Sequence, residues 1–149
     1  MGKINFGRVL LGGLVAGIIF DGLSYVVDGL ILKSQWAAAS QGNFTTHQII
    51  GFCILGLIAG VITIWFYAAC KPRLGTRYRT ALNVGLAVWM VGYVLPNAAF
   101  MYISQHLHNL MIFTTLGNLV EVLVGIFIGA ALYKESEVPE AAPAKATPV

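Results

Sequence analysis

Charged residues are scarce in this sequence of 149 residues, since Asp, Glu, Lys and Arg together make up 10% of it. Soluble domains carry about 25% charged residues. Hydrophobic residues make up 58% of the chain, and its mean hydropathy is +0.79. A domain solvated by water cannot bury so large an apolar fraction, so the composition excludes a soluble fold.

Motifs for catalysis and redox chemistry are also lacking. The sequence contains no H-E-x-x-H, no phosphate-binding loop, no C-x-x-C and no nucleophile elbow. We therefore expect that the protein is not an enzyme, and we predict no cofactor. Its two cysteines, Cys53 and Cys70, fall on one predicted helix about 25 Å apart along the axis. A disulfide needs Cα atoms within about 7 Å, so these two cannot form one.

Long apolar segments make up most of the sequence, and each is long enough to cross a hydrocarbon core of about 30 Å as a helix. The sequence predicts an all-α polytopic membrane protein, with four transmembrane helices in an up-down bundle that forms one domain over residues 1–134. Pro72 and Gly75 are expected to end the second helix. The tail, 135–149, is rich in Pro and Ala and is predicted to be disordered. The predicted spans are about 7–32, 48–70, 80–103 and 109–133.

The basic residues predict the orientation, because Lys and Arg are retained on the cytoplasmic side of a membrane. Only Lys33 falls in a loop on the opposite side. Both termini are therefore predicted to be cytoplasmic. The net charge of +3 is then a topology signal, and we expect the lipid bilayer, not nucleic acid, as the partner. The basic residues on the cytoplasmic side are Lys3, Arg8, Lys71, Arg73, Arg77, Arg79, Lys134 and Lys145.

Three of the six acidic residues, Asp21, Asp28 and Glu121, fall inside the predicted spans with no Lys or Arg beside them. A charge at the centre of a bilayer costs about 3 kcal/mol on insertion scales, so such residues usually face a bundle interior. Asp21 and Glu121 are each about 17–18 Å from the outer boundary, and Asp28 is about 6 Å deep. Each must be protonated, bound to a cation or hydrogen-bonded to neutral groups.

Small and polar residues recur every three or four positions and thus share one face of their helix. Glycines at this spacing permit close helix approach in membranes, and polar residues can hydrogen-bond across helices. The candidates for an ion pathway are Asp21, Asp28, Glu121, Asn118, Ser24 and Asn97. The candidates for helix packing are Gly13, Gly17, Gly56, Gly60, Gly125 and Gly129.

The histidines, His47, His106 and His108, all map to the outer boundary and are weak candidates for a zinc or copper site. Their spacing is unspecific, so no metal is predicted. One of them could also ligate haem or chlorophyll, with Trp89 and Tyr93 lining an apolar slot.

Three functions remain open at this point. The first is a structural or accessory subunit, which either self-associates or docks on a larger membrane complex. The second is a proton or monovalent-cation transporter that uses the intramembrane carboxylates Asp21 and Glu121. The third is a pigment- or haem-binding subunit of a bioenergetic assembly.

Several segments together resemble a group of small four-span bacterial membrane proteins of unassigned function. The resemblance implies a bacterial inner-membrane location and carries no chemistry. The segments are Ile4-Asn5-Phe6-Gly7-Arg8-Val9, Gly12-Gly13-Leu14-Val15-Ala16-Gly17, Trp65-Phe66-Tyr67-Ala68-Ala69, Lys71-Pro72-Arg73-Leu74-Gly75, Leu86-Ala87-Val88-Trp89, Leu119-Val120-Glu121 and Ala131-Leu132-Tyr133-Lys134-Glu135.

Overall fold

A computed structural model of the chain describes residues 4–39 and 44–135, and every regular element in these ranges is a helix. The all-helical class is thereby confirmed. Within the described ranges, four helical stretches are long and apolar enough to cross a membrane, as predicted: Phe6–Ile31, Thr46–Leu74, Arg77–Ile103 and Gln105–Leu132. The predicted disordered tail lies outside the described residues from position 136 onward.

The spans are built from shorter elements. We label the α-helices α1 (Phe6–Ser24), α2 (Lys33–Ala39), α3 (Thr46–Leu74), α4 (Arg77–Trp89), α5 (Leu95–Ile103) and α6 (His108–Leu132). π-helical segments continue α1 over Tyr25–Ile31 and join α4 to α5 over Met90–Val94. A 3₁₀ turn, Gln105–Leu107, precedes α6.

Local sequence explains where α3 begins and ends. Thr45 and Gln48 form a capping box, in which each side chain bonds the backbone of the other residue. The expected stop at Pro72 is wrong, because α3 continues through Pro72 to Leu74. Pro72 has no N–H to donate to the carbonyl of Ala68, so it removes one helical hydrogen bond without ending the helix. The helix ends at Gly75, whose φ of 82° is a conformation that glycine adopts without strain.

α1 is the helix with the most extensive packing, and it lies against both α3 and α6. α4 packs against α6 and α3. Glycines lie where α1 crosses α3: a methyl group at Gly13 would lie 2.5 Å from the Cα of Val61, and one at Gly17 would lie 2.6 Å from the Cα of Leu57. On the other side of the crossing, Gly60 faces the backbone of both α1 glycines.

Glycines also permit the contact of α1 with α6. A methyl group at Gly129 would lie 2.7 Å from the carbonyl oxygen of Gly12. One turn earlier on α6, Gly125 lies under the ring of Phe20, and a methyl group there would collide with it. The absence of side chains at these positions lets the backbones approach closely, which is how helices associate in a membrane.

The two ends of the molecule differ in their packing. At the end that carries the basic residues, here called the basic end, Lys71 forms a 3.2 Å ion pair with Glu135. A large apolar core fills that half of the protein: Val9, Ala16, Phe20, Ile64, Tyr67, Ala68, Ala81, Val84, Ile126, Ala130 and Tyr133. At the opposite end, here called the far end, the buried apolar cluster comprises Leu32, Leu110 and Met111.

Candidate functional site

A stripe of polar residues on α6 is buried inside the protein. Thr114, Asn118 and Glu121 are 7%, 5% and 3% exposed. Steps of four and three residues keep these side chains on one face of the helix. The stripe faces the first span, because Thr114 bonds Asp28 and the neighbouring Gly117 packs against Val27. The α6 polar stripe therefore faces the interior of this chain.

Glu121 is the most deeply buried of the three acidic residues in the spans. The hydroxyl of Tyr93 donates a hydrogen bond to its Oε1 atom at 3.1 Å. Ser24 approaches the same carboxyl group from the first span. The second carboxylate oxygen, Oε2, is buried and has no hydrogen-bond partner among the described residues.

Asp28 joins three helical elements at the far end. Its Oδ1 atom accepts one hydrogen bond from the Thr114 hydroxyl and another from the indole Nε1 of Trp36, each at 3.0 Å. These bonds link the π-helical end of the first span to α6 and to α2. Asp28 thus connects the α6 polar stripe to the far end of the protein.

Asp21 lies between α1 and α3. A methyl group at Gly56 would collide with Oδ1 of Asp21 and would lie 2.7 Å from its Cγ. Gly56, predicted as a packing residue, therefore leaves space for a carboxyl group as well as for a helix. Asp28 and Asp21 both lie close enough to Glu121 to interact with it electrostatically.

The three carboxyl groups have no basic partner in the described part of the chain. The ion pair that the described residues form, Lys71 with Glu135, lies at the basic end. Like charges repel strongly where water is excluded. The cluster of three carboxyl groups can therefore be fully ionised only if a bound cation offsets its charge, and otherwise a proton must neutralise at least one of the groups.

Asn97, a predicted candidate for the ion pathway, lies between α5 and α6. Its Nδ2 atom donates a 2.8 Å hydrogen bond to the hydroxyl of Thr115, which in turn donates to the carbonyl of Met111 at 2.6 Å. The indole of Trp89 donates to the Thr115 carbonyl at 2.8 Å. Asn97 thus links α5 to α6, and within the described ranges it forms no hydrogen bond with a carboxyl group.

Both π-helical segments carry a residue of the site. Asp28 belongs to Tyr25–Ile31, and Tyr93 belongs to Met90–Val94. π-bulges are rare in proteins and are frequently found at functional sites. Their widened turn changes the direction of the side chains beyond it, so residue spacing at an ideal 3.6 per turn does not predict these contacts.

Tyr93 and Thr114 were absent from the predicted site. A tyrosine in the middle of a span needs a hydrogen-bond partner for its hydroxyl, and this was the available signal. From the sequence, Trp89 and Tyr93 are candidates for the lining of a haem slot. Their polar atoms are used in hydrogen bonds to Thr115 and Glu121.

The weak metal candidates do not come together. His47, His106 and His108 are all exposed. Within residues 4–39 and 44–135, no group of three or more His, Cys, Asp or Glu side chains is arranged to hold a metal ion. Cys53 and Cys70 are free thiols.

Comparisons of this chain with protein-family models, with curated proteins and with solved structures found no match. Function must therefore be inferred from the geometry of the site.

Proposed function

We propose that this protein is a small membrane transporter for protons or monovalent cations, and that the carboxyl groups of Asp21, Asp28 and Glu121 belong to its pathway. One observation carries the proposal: the Glu121 carboxyl group is 3% exposed, and one of its oxygens has no partner in the described part of the chain. Ionisable residues inside membranes are costly, and they commonly mark ion pathways and proton relays.

The residues around the cluster support access of an ion to Glu121 from the far end of the protein. Asp28, Thr114 and Asn118 form a row of polar groups that leads from the far end to Glu121. Toward the basic end the next neighbours are apolar, and Ala16 and Ile126 are both fully buried at 0% exposure. An ion that reaches Glu121 from the far end thus meets a closed apolar core, as expected for one state of a transporter that opens to each side in turn.

The proposal includes a topology. The four spans would form an up-down bundle with both termini in the cytoplasm of a bacterium, in its inner membrane. The Lys71–Glu135 ion pair supports this topology, because it joins the end of the second span to the residues after the fourth. The concentration of Lys and Arg at that end supports a cytoplasmic orientation. The bacterial location rests on the sequence resemblance.

Flux measurements test the proposed function. The full-length protein is reconstituted in liposomes, and proton or sodium uptake is followed with an entrapped dye after an imposed gradient. We expect Glu121→Gln and Asp21→Asn to abolish uptake, because neither amide can bind and release a proton. Glu135→Gln is the matched control, since Glu135 is an exposed acid outside the spans. Folded Glu121→Gln protein that transports at the wild-type rate would contradict the proposal.

An accessory subunit is the second candidate function, and one observation favours it. Asn83 of α4 is exposed, although it lies in a span. An amide on the surface of a membrane helix can hydrogen-bond a neighbouring helix. Native mass spectrometry of the protein, extracted gently from its own membranes, would detect a stable partner or a second copy. A monomer without partners would exclude this candidate. Visible colour in the same sample would instead support a pigment- or haem-binding subunit.

A further inference from the structure

Two buried acceptor atoms lie one turn apart on α6. Oδ1 of Asn118 and Oε2 of Glu121 are the buried side-chain oxygen or nitrogen atoms without a hydrogen-bond partner in the described part of the chain. Their side chains are 5% and 3% exposed. Residues three apart on a helix are neighbours, with Cβ atoms about 5–6 Å from each other. Both atoms are acceptors, so they cannot bond each other unless a proton is added.

We infer that Glu121 carries a proton on Oε2 and donates it to Oδ1 of Asn118, so that the bound ion is a proton. One proton on Oε2 converts the carboxylate to a carboxylic acid, so that Oε2 becomes a donor and Oδ1 of Asn118 accepts its hydrogen bond. The inference deepens the proposed function, on which it rests for the claim that this proton is the transported ion.

The other polar groups of the site favour a proton over a metal cation. A metal cation needs several oxygen ligands with free lone pairs directed toward it. Here Oε1 of Glu121 already accepts from Tyr93, and Oδ1 of Asp28 already accepts from Thr114 and Trp36. These donors occupy two of the carboxylate oxygens that a cation could use, and no group of three or more His, Cys, Asp or Glu side chains in the described residues is arranged to hold a metal ion. A proton requires only Oε2 of Glu121 and Oδ1 of Asn118.

The titratable groups that face Glu121 fit a neutral acid. From the first span these are Asp21 and Asp28, and from the third span it is Tyr93. On the α3 side, Gly56 lies against Asp21. A protonated Glu121 removes one of three negative charges from a region without a basic partner in the described chain. It also leaves Oε1 free to accept from the tyrosine hydroxyl.

Infrared spectroscopy of the full-length protein in liposomes tests this inference. A hydrogen-bonded carboxylic acid shows a C=O stretching band that a carboxylate lacks. We expect this band at neutral pH, its loss in Glu121→Gln, and its shift to higher frequency in Asn118→Leu, where the acceptor is gone. Asn83→Leu, which removes an exposed amide, is the matched control and should leave the band unchanged.

Isotope labelling keeps the test valid if Glu121→Gln does not fold. Glu121 is the sole glutamate within the spans, so glutamate labelled with ¹³C at its side-chain carboxyl carbon, Cδ, should shift the band to lower frequency in the wild-type protein. A spectrum without a glutamic acid band, or a band that Asn118→Leu does not shift, would overturn the inference. Loss of the band on adding sodium ions would also overturn it.

The two proposals fail separately. A glutamic acid band in a protein that transports no protons would support the protonation of Glu121 and would refute proton transport. Sodium flux without such a band would support the proposed transport function and would refute the inference that Glu121 is protonated.

Discussion

The crossing of α1 and α3 offers a sharp test of the structure through the substitution Gly13→Ala. The added methyl group would lie 2.5 Å from the Cα of Val61 and 3.0 Å from its Cγ2. Carbon atoms pack best about 3.5–4.0 Å apart, so the two helices would have to separate by roughly 1 Å.

The size of the effect follows from two opposing contributions. Overpacking a well-packed contact typically costs about 1–3 kcal/mol. Replacing glycine by alanine within a helix otherwise stabilises by about 0.5–1 kcal/mol. Gly22, on the same helix, has no atom within 4 Å of an added methyl group, so Gly22→Ala should show only the second contribution. The two variants should therefore differ by roughly 2 kcal/mol in unfolding free energy.

The assay is a denaturant titration of both variants and the wild type in the same detergent, followed by tryptophan fluorescence. We expect Gly13→Ala to unfold at a lower denaturant concentration than the wild type, and Gly22→Ala at the same or a higher one. Equal stability of the two alanine variants would refute the close approach of α1 and α3. Because Asp21 lies two turns along α1, the less stable variant should also lose ion flux.

Three further substitutions probe the site and its surroundings. Tyr93→Phe removes the donor to Glu121 and should lower stability by about 1–3 kcal/mol in the same titration, with a shifted pH profile of flux; an unchanged profile would show that the bond is unimportant. Asp28→Asn keeps an oxygen acceptor for Thr114, so stability should change by less than about 1 kcal/mol while liposome flux falls; unaltered flux would remove Asp28 from the pathway. Lys71→Ala breaks a partly exposed ion pair and should lower the free energy of unfolding by less than about 1 kcal/mol, with a smaller effect in high salt. A larger loss of stability that does not depend on salt would contradict the partly exposed position of this ion pair.

Much of the fold was predictable from composition and length. An apolar run of suitable length must form a helix in a bilayer, because lipid offers no partner for backbone N–H and C=O groups. The helical class and the four apolar spans follow from this rule. Helix ends were less predictable, as Pro72 shows, because a proline near a helix end removes one hydrogen bond and does not by itself end the helix.

The candidate site was predictable in its acidic residues and not in its hydrogen-bond partners. Asp21, Asp28 and Glu121 stand out because a carboxyl group in a membrane span is costly wherever it points. Thr114 does not stand out, since threonine is common in spans, and the hydroxyl of Tyr93 indicates that a partner is needed without indicating which one. Their roles depend on which neighbouring helix each faces.

The sequence by itself therefore determined the membrane class, the helices and the presence of acidic residues in the spans. These depend on the chemical nature of each residue and on its distance from the span ends. Only the tertiary structure decided that Asp28 bonds Thr114, that Asp21 lies against Gly56 and that one oxygen of Glu121 has no hydrogen-bond partner among the described residues. Such contacts depend on the rotation and separation of whole helices and on π-helical turns, which local residue spacing does not encode.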